Sequence, residues 1–264
     1  MVTNGLIGYT GFVGQNLCLS TKSFDQLYNT QNIRSIRGKQ FNLLVCAAPQ
    51  AKKWWANQNP EADWSMIQTL IQTLEEVQAD RFILLSTIDV FPTIINADES
   101  FDCASRENHA YGRHRLQLEQ AVTSHFSKSH IVRLPGLFGP GLKKNVIFDL
   151  LHHNQVDKIN PDSQFQWYDL KDLWPDLNRI MQAELSLIVL ATEPISTREI
   201  HHRFFPELVI GTEASPTVTY DIHTRYAEVF SSQSDYIRSK AQILERLNQF
   251  IATEKNAPHE TFNF

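Results

Sequence analysis

Glycine is scarce in this chain, which has 10 glycines among 264 residues where about 7% is usual. The scarcity excludes collagen-like, linker-like and low-complexity proteins. The few glycines are also unevenly distributed. Seven of the ten fall in three segments: Gly8, Gly11 and Gly14; Gly112; and Gly136, Gly139 and Gly141.

Cysteine is rare as well, and Cys18, Cys46 and Cys103 are odd in number and far apart. This spacing predicts neither a disulfide framework nor a thiolate metal site. The ten histidines include two adjacent pairs but show no metal-ligand spacing, so we expect no metal. No signal peptide and no bilayer-length apolar run is visible, which favours a cytoplasmic protein without a membrane partner.

The remaining composition is that of a globular protein that binds small molecules. With 42% hydrophobic and 20% charged residues, the chain can bury a substantial core. Its net charge of −5 comes from 24 basic and 29 acidic residues without a long run of either sign. A nucleic-acid partner is therefore not expected.

Buried strands alternate with helices along the first half of the chain. Continuous apolar runs at 41–48, 81–86 and 130–134 are typical of strands buried on both faces. Apolar residues at helical spacing predict helices over 60–77 and 116–126. The pattern predicts an α/β fold in which a doubly wound parallel sheet carries helices on both faces.

Gly8, Gly11 and Gly14 stand three apart where a predicted strand turns into a helix. Glycines at such a turn let the backbone approach a pyrophosphate, and the N-terminus of the helix favours the anion. The turn and the α/β pattern together predict dinucleotide binding. A turn with a purely structural role is the alternative.

The pattern changes after Pro140, where shorter elements follow. We expect helices at 145–152, 172–181 and 239–251, a strand at 185–190 and an extended segment at 164–168. The change in pattern predicts that the chain is divided into two structural parts. Residues 1–140 mainly form the dinucleotide-binding domain, and residues 141–264 mainly form a small substrate lobe with elements that return to the main sheet.

Several motifs together resemble one family. Tyr111 follows Thr87 by 24 residues, and the shared motifs span nearly the whole chain. The matching positions are Gly8-x-x-Gly11-x-x-Gly14, Ala47-Ala48, Ser86-Thr87, Tyr111, 131–141 and 167–173. The chain resembles an extended short-chain dehydrogenase/reductase of the NAD-dependent epimerase/dehydratase superfamily, which implies a Rossmann fold and nucleotide-sugar chemistry.

The resemblance implies four catalytic positions. Tyr111 is the expected acid/base, and Thr87 the expected partner of the substrate hydroxyl. Arg115 replaces the family's lysine, and a cation there would lower the tyrosine pKa from about 10. A guanidinium does not replace an ammonium conservatively, so turnover is in question. Asp89 stands where dehydratases of the superfamily carry a proton-transferring glutamate; a loop-capping aspartate is the alternative.

The implied cofactor is NAD(P). The segment 28–32 contains no carboxylate for a ribose, and Arg34 follows it, which favours NADP. The expected cofactor-binding residues are Gly8, Thr10, Gly11, Phe12, Val13, Gly14, Asn29, Ala47, Ala48, Ser86, Tyr111, Arg115 and Pro135.

The expected substrate is a sugar or nucleotide sugar. Lys53, Trp54 and Asn145 are its candidate ligands, because they lie in loops that should line the cleft. A homodimer is an expectation from the resemblance. Two interpretations of function stay open: an oxidoreductase, epimerase or dehydratase, or a regulatory NAD(P)-binding protein that has lost turnover with the family lysine.

Overall fold

A computed structural model describes residues 3–256. Ten strands and eight helices are found in that range. The strands are β1 (Thr3–Ile7), β2 (Gln26–Tyr28), β3 (Gln40–Cys46), β4 (Gln78–Thr87), β5 (Ser129–Leu134), β6 (Gly136–Phe138), β7 (Gln164–Phe165), β8 (Trp167–Asp169), β9 (Leu187–Val189) and β10 (Ile195–Ser196). The helices are α1 (Phe12–Ser20), α2 (Lys53–Gln58), α3 (Pro60–Leu74), α4 (Ala110–His125), α5 (Val146–His152), α6 (Leu173–Gln182), α7 (Thr197–Phe204) and α8 (Lys240–Asn256).

Six strands form a central sheet in the order β2-β1-β3-β4-β5-β9, and every neighbouring pair is parallel. The predicted doubly wound, Rossmann-like fold is confirmed. The register pairs Ile7 with Cys46 and Cys46 with Leu84, so β1, β3 and β4 end close together. Ligands of open parallel sheets bind at this carboxyl edge, beside the strand where the winding direction reverses.

Apolar side chains cover both faces of the sheet, as the continuous apolar runs predicted. One face packs Ile67 and Leu70 of α3 and Leu118 of α4 against the strands. The opposite face packs Leu17 of α1 and Leu177 of α6. Such two-sided burial explains why the strand sequences do not alternate.

The connection between β2 and β3 is short. Residues 29–39 join the two strands and contain only a 3₁₀ turn at Ile33–Ile36 in place of an α-helix. Consequently β2 forms one edge of the sheet, next to β1. The adenosine side of the predicted dinucleotide site is thus bounded by a loop.

A separate apolar cluster lies in the second half of the chain. Ile147 of α5, Ile200 of α7 and Leu247 of α8 belong to it, together with Phe138. The predicted extended segment 164–168 divides into β7 and β8, which pair with β10 and β6 respectively. Helices α2 and α7 were not predicted, and α3 ends at Leu74, before the expected residue 77.

Candidate functional site

The turn between β1 and α1 has the geometry of an anion cradle. Gly8 has a φ of +84°, which favours glycine, and its N–H donates to Tyr28 O over 2.7 Å. A Cβ on Gly14 would stand 2.2 Å from Gly8 O, so only glycine lets α1 begin this close to the turn. Gly11 caps α1 without a side-chain hydrogen bond. The first N–H groups of α1, at Phe12, Val13 and Gly14, can therefore face an anionic group.

Other predicted cofactor residues follow the neighbouring strands. Ala47 and Ala48 come directly after β3, and Ala47 N–H donates to Ile7 O over 2.9 Å. Asn29 follows β2, where its amide nitrogen lies 3.3 Å from the Tyr9 hydroxyl. Thr10 is exposed in the glycine turn, and Pro135 is buried after β5. These residues surround the carboxyl edge of the sheet.

Ser86 is engaged in a buried network. Its hydroxyl donates to Glu119 Oε1 over 2.5 Å, and Glu119 pairs with Arg133 at 2.7 Å. The Arg133 guanidinium also stacks 4.7 Å from the centre of the Phe91 ring. The side chain of Ser86 therefore joins the end of β4 to α4 and β5.

Thr87 and Tyr111 meet at the end of β4. Tyr111 is the second residue of α4 and is only 4% exposed, and the Thr87 side chain is near enough to lower the pKa of its hydroxyl. Burial raises the pKa of Tyr111 to about 12, although Arg115 acts in the opposite direction. Arg115 lowers this pKa as expected, but desolvation of the phenolate outweighs the neighbouring cation and leaves the pKa raised.

The Arg115 side chain contacts α3 and the loop after β3. Its guanidinium carbon lies 3.9 Å from the centre of the Tyr111 ring. One terminal nitrogen pairs with Asp63 at 2.5 Å, and the other donates to Gln50 O over 3.0 Å. Asp63 also contacts His114 Nδ1 at 2.8 Å. Residue 115 therefore links α3, α4 and the loop after β3.

Asp89 lies at the centre of a second polar cluster. Its Oδ1 accepts from Lys53 Nζ over 2.6 Å and from the Tyr220 hydroxyl over 3.2 Å. Burial, the largest influence, would lower the pKa of Lys53, but Asp89 and Tyr220 outweigh it and leave this pKa raised. Burial is also the main cause of the raised pKa of Tyr220. The cluster joins α2, the turn after β4 and the C-terminal part of the chain.

Two asparagines hold these groups in place. Asn57 of α2 accepts from Tyr111 N–H over 2.9 Å. Asn108 donates to the carbonyls of Asp89 and Val90 over 2.9 and 3.0 Å. The loop with Asp89 and the helix with Tyr111 are therefore fixed relative to each other.

The predicted substrate residues differ in their surroundings. Trp54 is 73% exposed, whereas Lys53 is paired with Asp89. The Asn145 side chain caps α5, where its oxygen accepts from Ile147 N–H over 3.0 Å and its nitrogen donates to Leu137 O over 2.9 Å. The structure thus engages the Asn145 amide within the protein and leaves Trp54 facing solvent.

Sequence reasoning missed four residues of this region: Asn57, Asp63, Asn108 and Tyr220. Of these four, Asn108 could have been identified from the sequence. It lies just before the start of the predicted helix, where an asparagine commonly forms hydrogen bonds with nearby backbone. The other three are brought in by tertiary contacts. In particular, Tyr220 contacts Asp89 across 131 positions of sequence.

Residues 3–256 contain neither a cluster of metal ligands nor a helix suited to cross a membrane. No group of three or more His, Cys, Asp or Glu in this range could hold a metal ion. Within the same range, no helix combines the length and the apolar character needed to cross a membrane.

Several solved structures share the fold. A dTDP-4-dehydrorhamnose reductase from Clostridium acetobutylicum superposes with a TM-score of 0.72 at 15% identity, covering 96% of this chain and all of that one. The corresponding reductase from Bacillus anthracis, in complex with NADP, gives 0.69 at 16% identity, with 96% and 99% covered. DesIV from Streptomyces venezuelae, a dTDP-glucose 4,6-dehydratase with NAD and TYD bound, gives 0.70 at 13% identity, with 96% and 97% covered.

Sequence comparison identifies the family. No curated protein sequence matches this chain. The family model for NAD dependent epimerases/dehydratases matches residues 27–173, which are 147 of the 264 residues. Since the match covers more than half of the sequence, the chain belongs to the NAD dependent epimerase/dehydratase family.

Proposed function

We propose that this protein is an NAD(P)-dependent enzyme that modifies a nucleotide sugar. The observation that carries the proposal is the position of the Thr87 and Tyr111 hydroxyl pair at the same sheet edge as the glycine turn. Membership of the family supports it, as do the reductases and the dehydratase of nucleotide-linked sugars that share the fold. The substrate class is a small molecule, and a homodimer is part of the proposal.

The residues of the glycine turn fit a dinucleotide. The close approach at Gly14 and the uncapped start of α1 would hold the pyrophosphate, with Ala47, Ala48 and Asn29 along the groove. A nicotinamide cofactor bound there supplies hydride acceptance or delivery. We infer NADP as the preferred form, because the exposed Arg34 lies beyond β2 and residues 28–32 contain no carboxylate.

In this proposal, Thr87 and Tyr111 act on one substrate hydroxyl or carbonyl. Thr87 orients the oxygen, and Tyr111 transfers a proton to or from it. The Arg115 charge over the Tyr111 ring favours the phenolate, although burial raises the pKa of the tyrosine and so favours its protonated form. Arg115 thus supplies electrostatic support while Asp63 and Gln50 hold its guanidinium.

We also propose that the two parts of the chain have different functions. Residues 1–140 would mainly bind the dinucleotide and residues 141–264 would mainly select the substrate, with β9 returning to the sheet. The separate apolar cluster of α5, α7 and α8 supports this division. Lys53 and Trp54 would line the cleft between the two parts.

A second candidate function is dinucleotide binding without turnover. It is favoured by one observation: the arginine at the position of the family lysine is paired with Asp63, and burial raises the pKa of Tyr111 to about 12. A protein of this kind would sense the cofactor through the same glycine turn.

Fluorescence titration with NADPH and NADH tests the first step of both candidates. Tight binding of at least one is expected, and failure of both would contradict both functions. Absorbance at 340 nm and proton NMR of the sugar, with UDP-glucose, UDP-glucuronic acid and dTDP-glucose, each with NAD⁺ or NADP⁺, then test turnover. The NMR spectra are needed because an epimerase or a dehydratase regenerates its cofactor and leaves the absorbance unchanged. Turnover that is lost in Tyr111→Phe while NADPH affinity stays within about threefold supports the enzyme. Cofactor binding with no change in any nucleotide sugar supports the second candidate.

A further inference from the structure

We propose that His109 is a specificity-determining residue, whose Nε2–H donates a hydrogen bond to an oxygen of the same sugar that Tyr111 acts on. The inference rests on the proposed function and deepens it, because it assigns a further substrate contact to the same site. His109 is the N-cap residue of α4 and precedes Tyr111 by two positions.

His109 caps α4 through one of its two ring nitrogens. Its Nδ1 accepts from the Gly112 N–H over 3.0 Å, and its backbone is extended, as an N-cap requires. Serine, threonine, aspartate and asparagine are the residues that usually do this, and histidine is not among them. A histidine at this position adds a second nitrogen, Nε2, which the cap does not use.

The capping hydrogen bond determines where the imidazole carries its proton. Because Nδ1 accepts from Gly112, the neutral ring has its proton on Nε2. Burial, the largest influence, and the charge of Lys53 lower the pKa of His109. Arg115 adds to this lowering and Asp89 opposes it. Nε2 therefore offers neither the lone pair of a base nor the charge of a strong acid, and its function is that of a neutral hydrogen-bond donor.

The imidazole lies beside the groups of the candidate site. Its ring centre is 6.3 Å from that of Tyr111, and the charges of Lys53 and Asp89 both act on it. The side chain is half-buried. Among residues 3–256, none forms a hydrogen bond with Nε2 of His109. A donor that is fixed by its own cap and has no protein partner is suited to orient a bound ligand.

A sugar provides the acceptor that this donor needs. In the proposed function, Thr87 and Tyr111 engage the reacting oxygen, so His109 is available for another oxygen of the same sugar ring. A hydroxyl at that carbon accepts the hydrogen bond, whereas a deoxy carbon leaves the Nε2–H without an acceptor in the closed site. His109 therefore selects sugars that carry an oxygen at the position it contacts over their deoxy analogues.

Two substitutions separate the two nitrogens of His109. His109→Asn keeps the cap, because asparagine is a preferred N-cap residue, but its short side chain has no donor at the distance of Nε2. His109→Gln has a longer side chain whose amide nitrogen replaces the Nε2 donor, but glutamine is not a preferred N-cap residue. His202→Asn changes an exposed histidine of α7 and is the matched control.

Calorimetric titration of the full-length protein, saturated with NADPH, measures the contact. The probes are UDP-glucose, UDP-glucuronic acid and dTDP-glucose, whose hydroxyl groups NADPH cannot oxidise, and UDP and dTDP as ligands without a sugar. His109→Asn should bind the nucleotide sugar about fivefold more weakly or worse, the loss of one hydrogen bond. Its affinity for UDP or dTDP should stay within about twofold, and its melting temperature within about 3 °C, of the unchanged protein.

The glutamine variant should show the opposite pattern. His109→Gln should keep the affinity for the nucleotide sugar within about twofold and should melt at a lower temperature, because its helix start is less well capped. His202→Asn should equal the unchanged protein in both measurements. A residue that acted only through the start of α4 would instead lose affinity and stability together.

Nitrogen NMR of the labelled protein tests the proton position without any substrate. At neutral pH, the signals that disappear in His109→Asn should be those of a neutral imidazole with its proton on Nε2. A proton on Nδ1 would overturn the inference, because Nε2 would then be an acceptor.

The outcomes distinguish this inference from the proposed function. If the unchanged protein binds NADPH but none of the three nucleotide sugars, the proposed function fails and the inference fails with it. If the unchanged protein binds a nucleotide sugar and His109→Asn binds it equally well, the inference alone is overturned. Equal losses of affinity in His109→Asn and His109→Gln would also overturn it, since the donor would then have no separate effect.

Discussion

Arg115 and Asp63 form an ion pair that is buried beneath Tyr111, with 2.5 Å between the guanidinium nitrogen and the carboxylate oxygen. Both residues are at most 5% exposed. Arg115 stands four residues after Tyr111, on the same face of α4. Residue 115 therefore contributes to the stability of the site as well as to its charge.

Asp63→Asn should destabilise the protein by about 3 to 5 kcal/mol, because it leaves the Arg115 guanidinium buried without its counter-ion. Urea unfolding followed by tryptophan fluorescence measures the change. The matched control is Glu76→Gln, which breaks the exposed pair with Arg37 and should cost less than about 1 kcal/mol. Similar losses in the two variants would contradict a structural role for Asp63.

Arg115→Lys should lower the free energy of unfolding while NADPH affinity stays within about threefold or improves. A lysine cannot bind Asp63 and Gln50 O in the forked geometry of a guanidinium, but it carries the same charge. Urea unfolding and fluorescence titration give the two quantities. A large loss of NADPH affinity would instead show that Arg115 contacts the cofactor directly.

Gly14→Ala should abolish tight NADPH binding and lower the melting temperature, because its Cβ would stand 2.2 Å from the backbone oxygen of Gly8. Gly11→Ala is the comparison, since its nearest atom would lie 3.3 Å away. We expect Gly11→Ala to fold with a near-normal melting temperature and to bind NADPH at least about 10-fold more weakly, because a side chain in this turn hinders the close approach of the backbone to a pyrophosphate. Normal binding by Gly14→Ala would contradict the assigned cradle.

The stability of the protein should fall at alkaline pH in a way that depends on Tyr111. Its folded-state pKa of about 12 exceeds the reference value of 10.0, so its stabilising contribution is complete below pH 10 and is lost as the pH rises through 12. Two pKa units correspond to about 3 kcal/mol. Urea unfolding at pH 9 to 12 gives the free energy of unfolding of the protein and of Tyr111→Phe as curves against pH. The difference between the two curves should shrink by this amount as the pH rises. Parallel curves would contradict the raised pKa.

The sheet was predictable because its determinants are local. The apolar runs at 41–48 and 81–86 and the glycine turn correctly indicated β3, β4 and the start of α1. Their order in the chain, with right-handed connections, then restricts the sheet to very few arrangements.

The polar contacts of the site were not predictable in the same way. The pairing of Arg115 with Asp63 depends on how α3 packs against α4, and Tyr220 reaches Asp89 from a distant part of the chain. The burial of Tyr111, which raises its pKa, also follows from tertiary packing. Spacing in the sequence identified the residues but not their partners.

Both edges of the central sheet are formed by strands of only three residues, β2 and β9. The free side of β9 is further covered, since Glu99 Oε1 accepts the Val189 N–H over 2.8 Å. Unpaired strand edges are templates for aggregation, and short or covered edges remove them. The same carboxylate binds the Thr224 hydroxyl over 2.6 Å, so the C-terminal part of the chain protects the sheet from edge-to-edge association with other molecules.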